Sequence, residues 1–456
     1  MKKVAFHNLG CKVNAYETDA MQQLLENEGY EIVPFAEGAD IYIINTCSVT
    51  NIADRKSRQM IHKARHMNPH ALVVAAGCYV QTAQKQEEMQ PYIDLVVGNN
   101  KKKDIVSLIK ACEQKLKAAD EGRADENRWL NACLDINEKK VEYENLQISR
   151  TGRNTRAYVK IQDGCNQFCS YCIIPYARGR VRSRGCTEVL EECRRLAENG
   201  YREVVLTGIH LSSYGTDLDE SGHTSLLIPL LESIHSIKGI ERIRLSSLEP
   251  RIITEAFTKA ISGLEKVCPH FHLSLQSGCN ETLKRMNRHY TVEEYEQACQ
   301  ILRSYYVHPA ITTDIITGFP GETEEEFQKT VEFVKKVNFY ETHIFKYSKR
   351  QGTRAASMEH QLPESVKAER SRVLLELDKT NSRNFREYYV GKETELLIEE
   401  QLVSEGNVYQ LGHTREYIKA VLKEEGDCSN TIAAGTITGF FRDDILSVDK
   451  IFPKID

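Results

Sequence analysis

No stretch of this chain is apolar for long enough to cross a membrane. Its opening residues, MKKVAFHN, run into a strand-like segment with no apolar leader core. Both absences lead to the expectation of a cytoplasmic protein, in a compartment where disulfides are rare. Tryptophan occurs once, at Trp129, inside a polar stretch, and is expected to pack against something there. Neither charge sign dominates: the net charge is −5, so bulk charge does not mark a nucleic-acid binder. With 41% hydrophobic and 27% charged residues, the composition is that of a globular protein, and 456 residues leave room for about three domains. Cysteine is the residue in quantity, with 14. In a reducing compartment these are better explained as metal ligands plus buried thiols than as disulfides.

Three cysteines, Cys165, Cys169 and Cys172, share the run DGCNQFCSYCIIP from Asp163 to Pro175. The spacing is C-x3-C-x2-C, with Tyr171 just before the last. Three thiolates on one short loop suit three irons of a [4Fe–4S] cubane, which normally takes four cysteines. No fourth cysteine completes the loop, so one iron stays open. A zinc knuckle wants four ligands in paired sets. The run resembles the radical S-adenosylmethionine (SAM) signature. That resemblance implies that the open iron binds the amino and carboxylate groups of SAM. It also implies that an electron from the cluster splits SAM to a 5′-deoxyadenosyl radical.

Residues 1–116 alternate strand and helix: strands near Val4–His7, Ile41–Asn45, Ala71–Ala76 and Asp94–Val97, with helices at 16–28, 52–67 and after Ala76. This order predicts a parallel sheet. Cys11, Cys47 and Cys78 follow the first three strands, near the carboxyl edge where open α/β sheets bind ligands. Buried thiols at strand ends are the alternative reading.

Residues 117–150 are polar and read as a linker. From 151 to 381 the βα rhythm returns, with strands near 158–161, 203–206, 242–245, 270–275, 311–316 and 341–345. Candidate ligand contacts at their carboxyl ends are Thr207 and Gly208, Ser246 and Ser247, Gln276, Ser277 and Gly278, and Asp314 through Gly318; the serines read equally well as turn residues. The run Gly318 to Thr323 lacks the Gly-Lys-Ser/Thr ending of a phosphate loop. Thr323 with Glu326 is instead a capping box opening a helix. Arg55, Lys56, Arg58, Lys63 and Arg65 crowd one helix. Arg178, Arg180, Arg182 and Arg184 alternate as if on one side of a strand, and Lys284, Arg285 and Arg288 form a third group. Each suits a solvated face; together they suggest an anionic partner. The other eight cysteines, 112, 133, 186, 193, 268, 279, 299 and 428, are read as structural thiols.

After a charged helix from Glu364, residues 382–453 break into short strands between Gly and Asn turns, which predicts a small OB-like β-barrel. Its acidic residues outnumber its basic ones, so RNA binding there would rest on His413, Arg415 and Lys419 with aromatic stacking. A purely structural cap is the other reading.

The motifs LGCKVN (9–14), NTCSVT (45–50) and AGCYVQ (76–81) resemble the three cluster motifs of the methylthiotransferase family of radical SAM enzymes. The run GHTREY (412–417) is similar to a loop of the RNA-binding TRAM domain that ends its tRNA-acting members. The resemblance covers nearly the whole chain. It implies an α/β multidomain fold: an N-terminal parallel sheet, a partial (β/α)6 TIM-like radical SAM barrel and a C-terminal TRAM barrel. It implies two [4Fe–4S] clusters, one on Cys11, Cys47 and Cys78, the other on Cys165, Cys169 and Cys172. Tyr171, Thr207, Gly208, Ser246, Gln276 and Asp314 would line the SAM pocket; no catalytic side chain is assigned. Two SAM molecules are implied: one methylates a sulfur at the auxiliary cluster, and the other is cleaved, so that a methylthio group replaces a hydrogen. The implied partners are a tRNA anticodon stem-loop, a reducing electron donor and a sulfur donor. The first motif looks like the branch acting on N6-threonylcarbamoyladenosine at position 37. Isopentenyladenosine, a ribosomal-protein aspartate and a non-catalytic iron–sulfur RNA-binding role stay open.

Overall fold

In the computed structural model, residues 1–82, 91–120, 129–138, 141–152, 155–219 and 225–450 are described. Six strands form the first unit: β1 (Lys3–Asn8), β2 (Glu31–Val33), β3 (Ile41–Thr46), β4 (Leu72–Gly77), β5 (Leu95–Val97) and β6 (Leu130–Ala132). All pair in parallel, in the order β2-β1-β3-β4-β5-β6. β3 and β4 are fully buried along their length, as expected when helices cover both faces. The chain runs from β1 outward to β2, then back to β3. The strand order therefore reverses beside β1, which is where open parallel sheets take ligands.

β2 and β6 are additions to the expected strands. Each has three residues, too few for a periodic signal. β6 also corrects the reading of 117–150 as a linker. Trp129 packs against the sheet's core, and Leu146 and Ile148 are buried in the core of the second unit. Tyr143 donates to the carbonyl of Lys160 at 2.8 Å. Residues 121–128 and 139–140 of this stretch, and 83–90 after the short helix Cys78–Thr82, lie outside the described residues.

The second unit contains β7 (Ala157–Lys160), β8 (Gln162–Asp163), β9 (Arg182–Ser183), β10 (Glu203–Thr207), β11 (Arg242–Leu245), β12 (His270–His272), β13 (Ala310–Thr317) and β14 (Glu341–Lys346). β7, β10 and β11 form one parallel sheet, and β12, β13 and β14 another. Parallel bridges Ile243 to Val267 and Leu248 to Leu273 join them into a six-stranded arc. Alternation along the strands sorts the side chains. Val159, Val204, Leu206, Ile243, Leu245, Phe271, Leu273, Ile311 and Ile315 pack with the outer helices in one core. The intervening residues face the inside of the arc. Thr323 caps the helix Glu324–Val337 in a complete capping box with Glu326.

A long helix, Glu364–Tyr388, leads to β15 (Glu393–Ser404), β16 (Asn407–His413), β17 (Lys419–Leu422), β18 (Ile432–Arg442) and β19 (Ile445–Lys450). These close into a barrel in the order β15-β16-β17-β19-β18. Residues 451–453 of the expected C-terminal domain lie outside the described residues. Among the described residues, no helix is long and apolar enough to cross a membrane.

Candidate active site

Cys11, Cys47 and Cys78 follow β1, β3 and β4, three neighbouring strands. Gly10 shows how closely their loops meet. Its φ is +111°, and a Cβ there would lie 2.9 Å from Cys47 Cβ and 3.0 Å from its Sγ. Asn14 ties the loops, donating through Nδ2 to the carbonyls of Leu9 at 2.7 Å and Thr46 at 3.0 Å. Asn45 Nδ2 returns a bond to the Asn14 carbonyl at 3.0 Å, and Tyr79 N–H donates to Thr46 Oγ1 at 3.2 Å. Cys11 is exposed, whereas Cys47 and Cys78 are buried. Burial, reinforced by Cys78 and Cys11, pushes the Cys47 thiol up to about 11. Without a metal, therefore, this thiol is held protonated; a bound iron would supply the missing positive charge.

The second trio stands between β8 and the short helix Ile174–Arg178. Gln167 N–H points at Cys165 Sγ (3.5 Å), and Arg288 Nη1 donates to Cys169 Sγ at 3.2 Å. Burial, with the neighbouring Cys169 adding to it, pushes Cys165 to about 11 and Cys172 to about 12. The grouping of Arg288 with Lys284 and Arg285 for an anionic partner is thereby corrected. Arg288 serves the cysteine loop, and Arg285 pairs with Glu326.

The two cysteine sets share one junction. The helix Ile174–Arg178 packs on Cys78–Thr82. Asn99 Nδ2 donates to the Ala177 carbonyl at 2.8 Å and approaches Cys78 Sγ at 3.5 Å. Arg178 spans the seam, donating to Glu17 (2.8 Å), Asp163 (3.2 Å) and Asn14 Oδ1 (2.7 Å). Glu17 also holds Lys102 at 2.5 Å and Lys160 at 2.7 Å. Burial opposes the Glu17 charge, but Arg178, Lys102 and Lys160 override it and hold the carboxyl well below its ordinary value. Sequence reasoning missed Glu17, Asn99 and Lys102, since nothing local marks a buried acid that pairs across 143 residues.

The arginine row is also corrected. Arg178 ends a helix, and only Arg182–Ser183 is strand. Arg178, Arg182 and Arg184 are buried. Arg184 pairs with Glu192 at 3.0 Å, and Arg182 stands 3.8 Å from Asp163. Arg180 alone of the four is exposed, over the Phe168 ring at 4.4 Å.

Of the candidate SAM contacts, Thr207, Ser246, Gln276 and Asp314 all have the inward register. Thr207 ends β10, Ser246 directly follows β11, and both are buried. Gln276 holds φ +70°. Asp314 lies in the middle of β13 and pairs with His272 at 3.2 Å. His343, on β14, converges with those two to within 4.8 Å. Tyr171 stands apart, edge-on to Phe319 in a cluster with Met286 and Tyr347.

One feature fits a ligand at the carboxyl ends, and a second packs the wall beside it. The buried Ser246 Oγ has no hydrogen-bond partner. A Cβ on Gly208 would lie 2.9 Å from Gln162 Oε1, which accepts from Ile209 and His210 N–H. Six thiols, three after neighbouring strands and three on one loop, are a donor set suited to two iron–sulfur clusters.

The opposite end of the arc is closed. Arg242 donates to the carbonyls of His413 (3.0 Å) and Glu395 (2.8 Å), and Arg244 to that of Arg415 (2.9 Å). Tyr417 lies under Arg156 and Arg244, 4.8 and 4.9 Å from its ring, and stacks with His270 and His413. His413 pairs with Glu399 at 2.8 Å. Arg415 donates to the carbonyls of Glu265 and Val267. The expected RNA patch is thereby corrected: its loop plugs the floor of the arc, leaving Lys419 as its one residue outside these contacts.

Residues 159–334 match the Radical SAM superfamily, and residues 3–98 match an uncharacterized protein family, UPF0004. The chain is 41% identical over 429 residues to threonylcarbamoyladenosine tRNA methylthiotransferase MtaB of Bacillus subtilis (strain 168), covering 94% of this chain and 92% of that one. It is 42% identical to the MtaB of Aquifex aeolicus (strain VF5), covering 88% and 93%. It is 35% identical to tRNA-2-methylthio-N(6)-dimethylallyladenosine synthase of Pelotomaculum thermopropionicum, covering 96% of each. A solved radical SAM methyltransferase, TsrM from Kitasatospora setae, shares the fold with TM-score 0.54 and 17% identity, over 76% of this chain and 73% of that one. The arc and the cysteine loop at its mouth define the class as radical SAM enzymes. Within that class, the chain belongs to the methylthiotransferase family.

Proposed function

We propose that the protein adds a methylthio group to C2 of N6-threonylcarbamoyladenosine at position 37 of tRNA. The observation carrying this is the pair of three-cysteine sets on either side of one buried ionic seam. Relatives named for this reaction align over nearly the whole chain. SAM and [4Fe–4S] clusters are the cofactors of the family. Cys165, Cys169 and Cys172 would hold one cluster, and Cys11, Cys47 and Cys78 the other. When bound, they would supply homolytic SAM cleavage and a site where sulfur is methylated, which the adenine C2 position needs because it is neither acidic nor nucleophilic.

The chain's own residues prepare that chemistry. Thr207, Gly208, Ser246 and Gln276 offer a cradle at the mouth of the arc. Arg288, donating to Cys169, would offset the charge of a ligating thiolate. The C-terminal barrel closes the floor of the arc. The base must leave the anticodon stack to reach the lumen. Arg55, Lys56, Arg58 and Lys63, exposed on the helix Asn51–Met67, offer phosphate contacts on the N-terminal unit.

The test is anaerobic turnover by reconstituted enzyme of tRNA carrying threonylcarbamoyladenosine against tRNA carrying isopentenyladenosine, read by nucleoside mass spectrometry. Methylthiolation of the first alone is expected. Turnover of the second alone, or of both equally, would overturn the substrate assignment.

A further inference from the structure

We propose that Lys12 is the receptor for the carboxylate of the substrate's threonyl group, which makes the lumen an anion site. This rests on the substrate reading above, because an isopentenyl chain has no charge to receive.

Most buried charges of the seam and the lumen are paired. Arg178 is held by Glu17 and Asp163, Arg184 by Glu192, Lys160 by Glu17 and Asp163. Arg156 pairs with Glu399 and Arg244 with Glu203. Of the acids, Glu249 pairs with Arg251 at 2.8 Å, and Asp314 lies 3.2 Å from the His272 ring. Lys12 is the exception. Its side chain is part-buried, yet no hydrogen bond or ion pair reaches it among the described residues. It opens the helix Lys12–Asn27, directly after Cys11, and that helix packs against β7 at the rim of the arc. Arg156, Arg244, Cys11 and Glu203 all lie near enough to act on it, and it acts on His270. Its neighbours put the side chain between Cys11 and the closed floor of the arc.

A cation withdrawn from water without a counter-ion costs several kcal/mol unless a ligand supplies one. The carboxyls around it already have partners. A carboxylate on the N6 chain of a base inserted from the mouth is the group that completes it, and would itself be costly to bury unpaired. Charge balance with a cluster at Cys11 is the competing role, and the two separate experimentally.

The experiment uses reconstituted full-length enzyme. The substrates are synthetic anticodon stem-loops carrying threonylcarbamoyladenosine at position 37, either as the free acid or as its methyl ester. Wild type should prefer acid over ester by about 100-fold in kcat/KM, since the ester cannot form the charge-assisted hydrogen bond to the ammonium. Lys12→Met and Lys12→Gln should collapse that ratio to about one with iron content at the wild-type level, and Lys12→Arg should keep most of it. Equal falls on acid and ester would overturn the proposal in favour of a cluster-balancing or structural role. An unchanged acid-to-ester ratio in Lys12→Met would also overturn it. Wild type that turns over only an isopentenyl stem-loop would overturn the substrate reading itself, and Lys12's role with it.

Discussion

Glu17 is the residue on which the junction turns, because one buried carboxylate holds Arg178, Lys102 and Lys160. Removing one member of a buried charged set strands the others. Glu17→Ala should therefore destabilise the protein by about 3–5 kcal/mol in urea unfolding. The pH dependence follows from the same depressed carboxyl. Its stabilisation is complete above the unfolded carboxylate value, about 4, and is lost as pH falls through the lower folded value. Asp378 works in the opposite direction. Burial raises it to about 6, so the native state prefers it protonated and stability declines as pH rises from about 4 to 6. Asp378→Asn should stabilise the protein by about 1 kcal/mol at pH 7.5, allowing for screening, with the gain vanishing near pH 4. A thermal melt at the two pH values measures it. Neither residue stands out in the sequence, where each looks like an ordinary acid on an amphipathic helix.

At the scale of elements, the helices and most strands are legible because their apolar periods are long enough to read. The six strands of the arc fall where alternation places them, and the capping box at Thr323 opens its helix as expected. What sequence could not show is which loop faces which. The run from Gly412 to Tyr417 reads as an exposed RNA loop, but Arg242 and Arg244, some 170 residues earlier, fix it to the floor of the arc. Tyr417→Ala should consequently cost about 3–5 kcal/mol, as for other large aromatic truncations, with unfolding of the two barrels separating in calorimetry. The basic helix Asn51–Met67 carries the complementary expectation. Neutralising Arg55, Lys56 and Arg58 should lower the slope of log K against log salt for the stem-loop, by roughly 0.7–0.9 for each phosphate no longer neutralised. Neutralising Arg182 and Arg184, both buried, should instead lower thermal stability.

For the whole molecule, the fold brings two cysteine sets, coded 87 residues apart at their nearest members Cys78 and Cys165, to one seam. The class of sheet and the strand-end placement of Cys11, Cys47 and Cys78 are readable from βα alternation. The seam is not, because Asn99, Glu17 and Arg178 meet only after both units have folded. The direct test is iron stoichiometry of the anaerobically reconstituted enzyme and two triple-alanine variants, with 5′-deoxyadenosine release as a second reading. Wild type should hold about eight irons per chain. Replacing Cys165, Cys169 and Cys172 should leave about four and abolish 5′-deoxyadenosine. Replacing Cys11, Cys47 and Cys78 should leave about four with SAM cleavage still detectable. Full iron retention in either variant, or loss of all iron in both, would contradict two independent cluster sites.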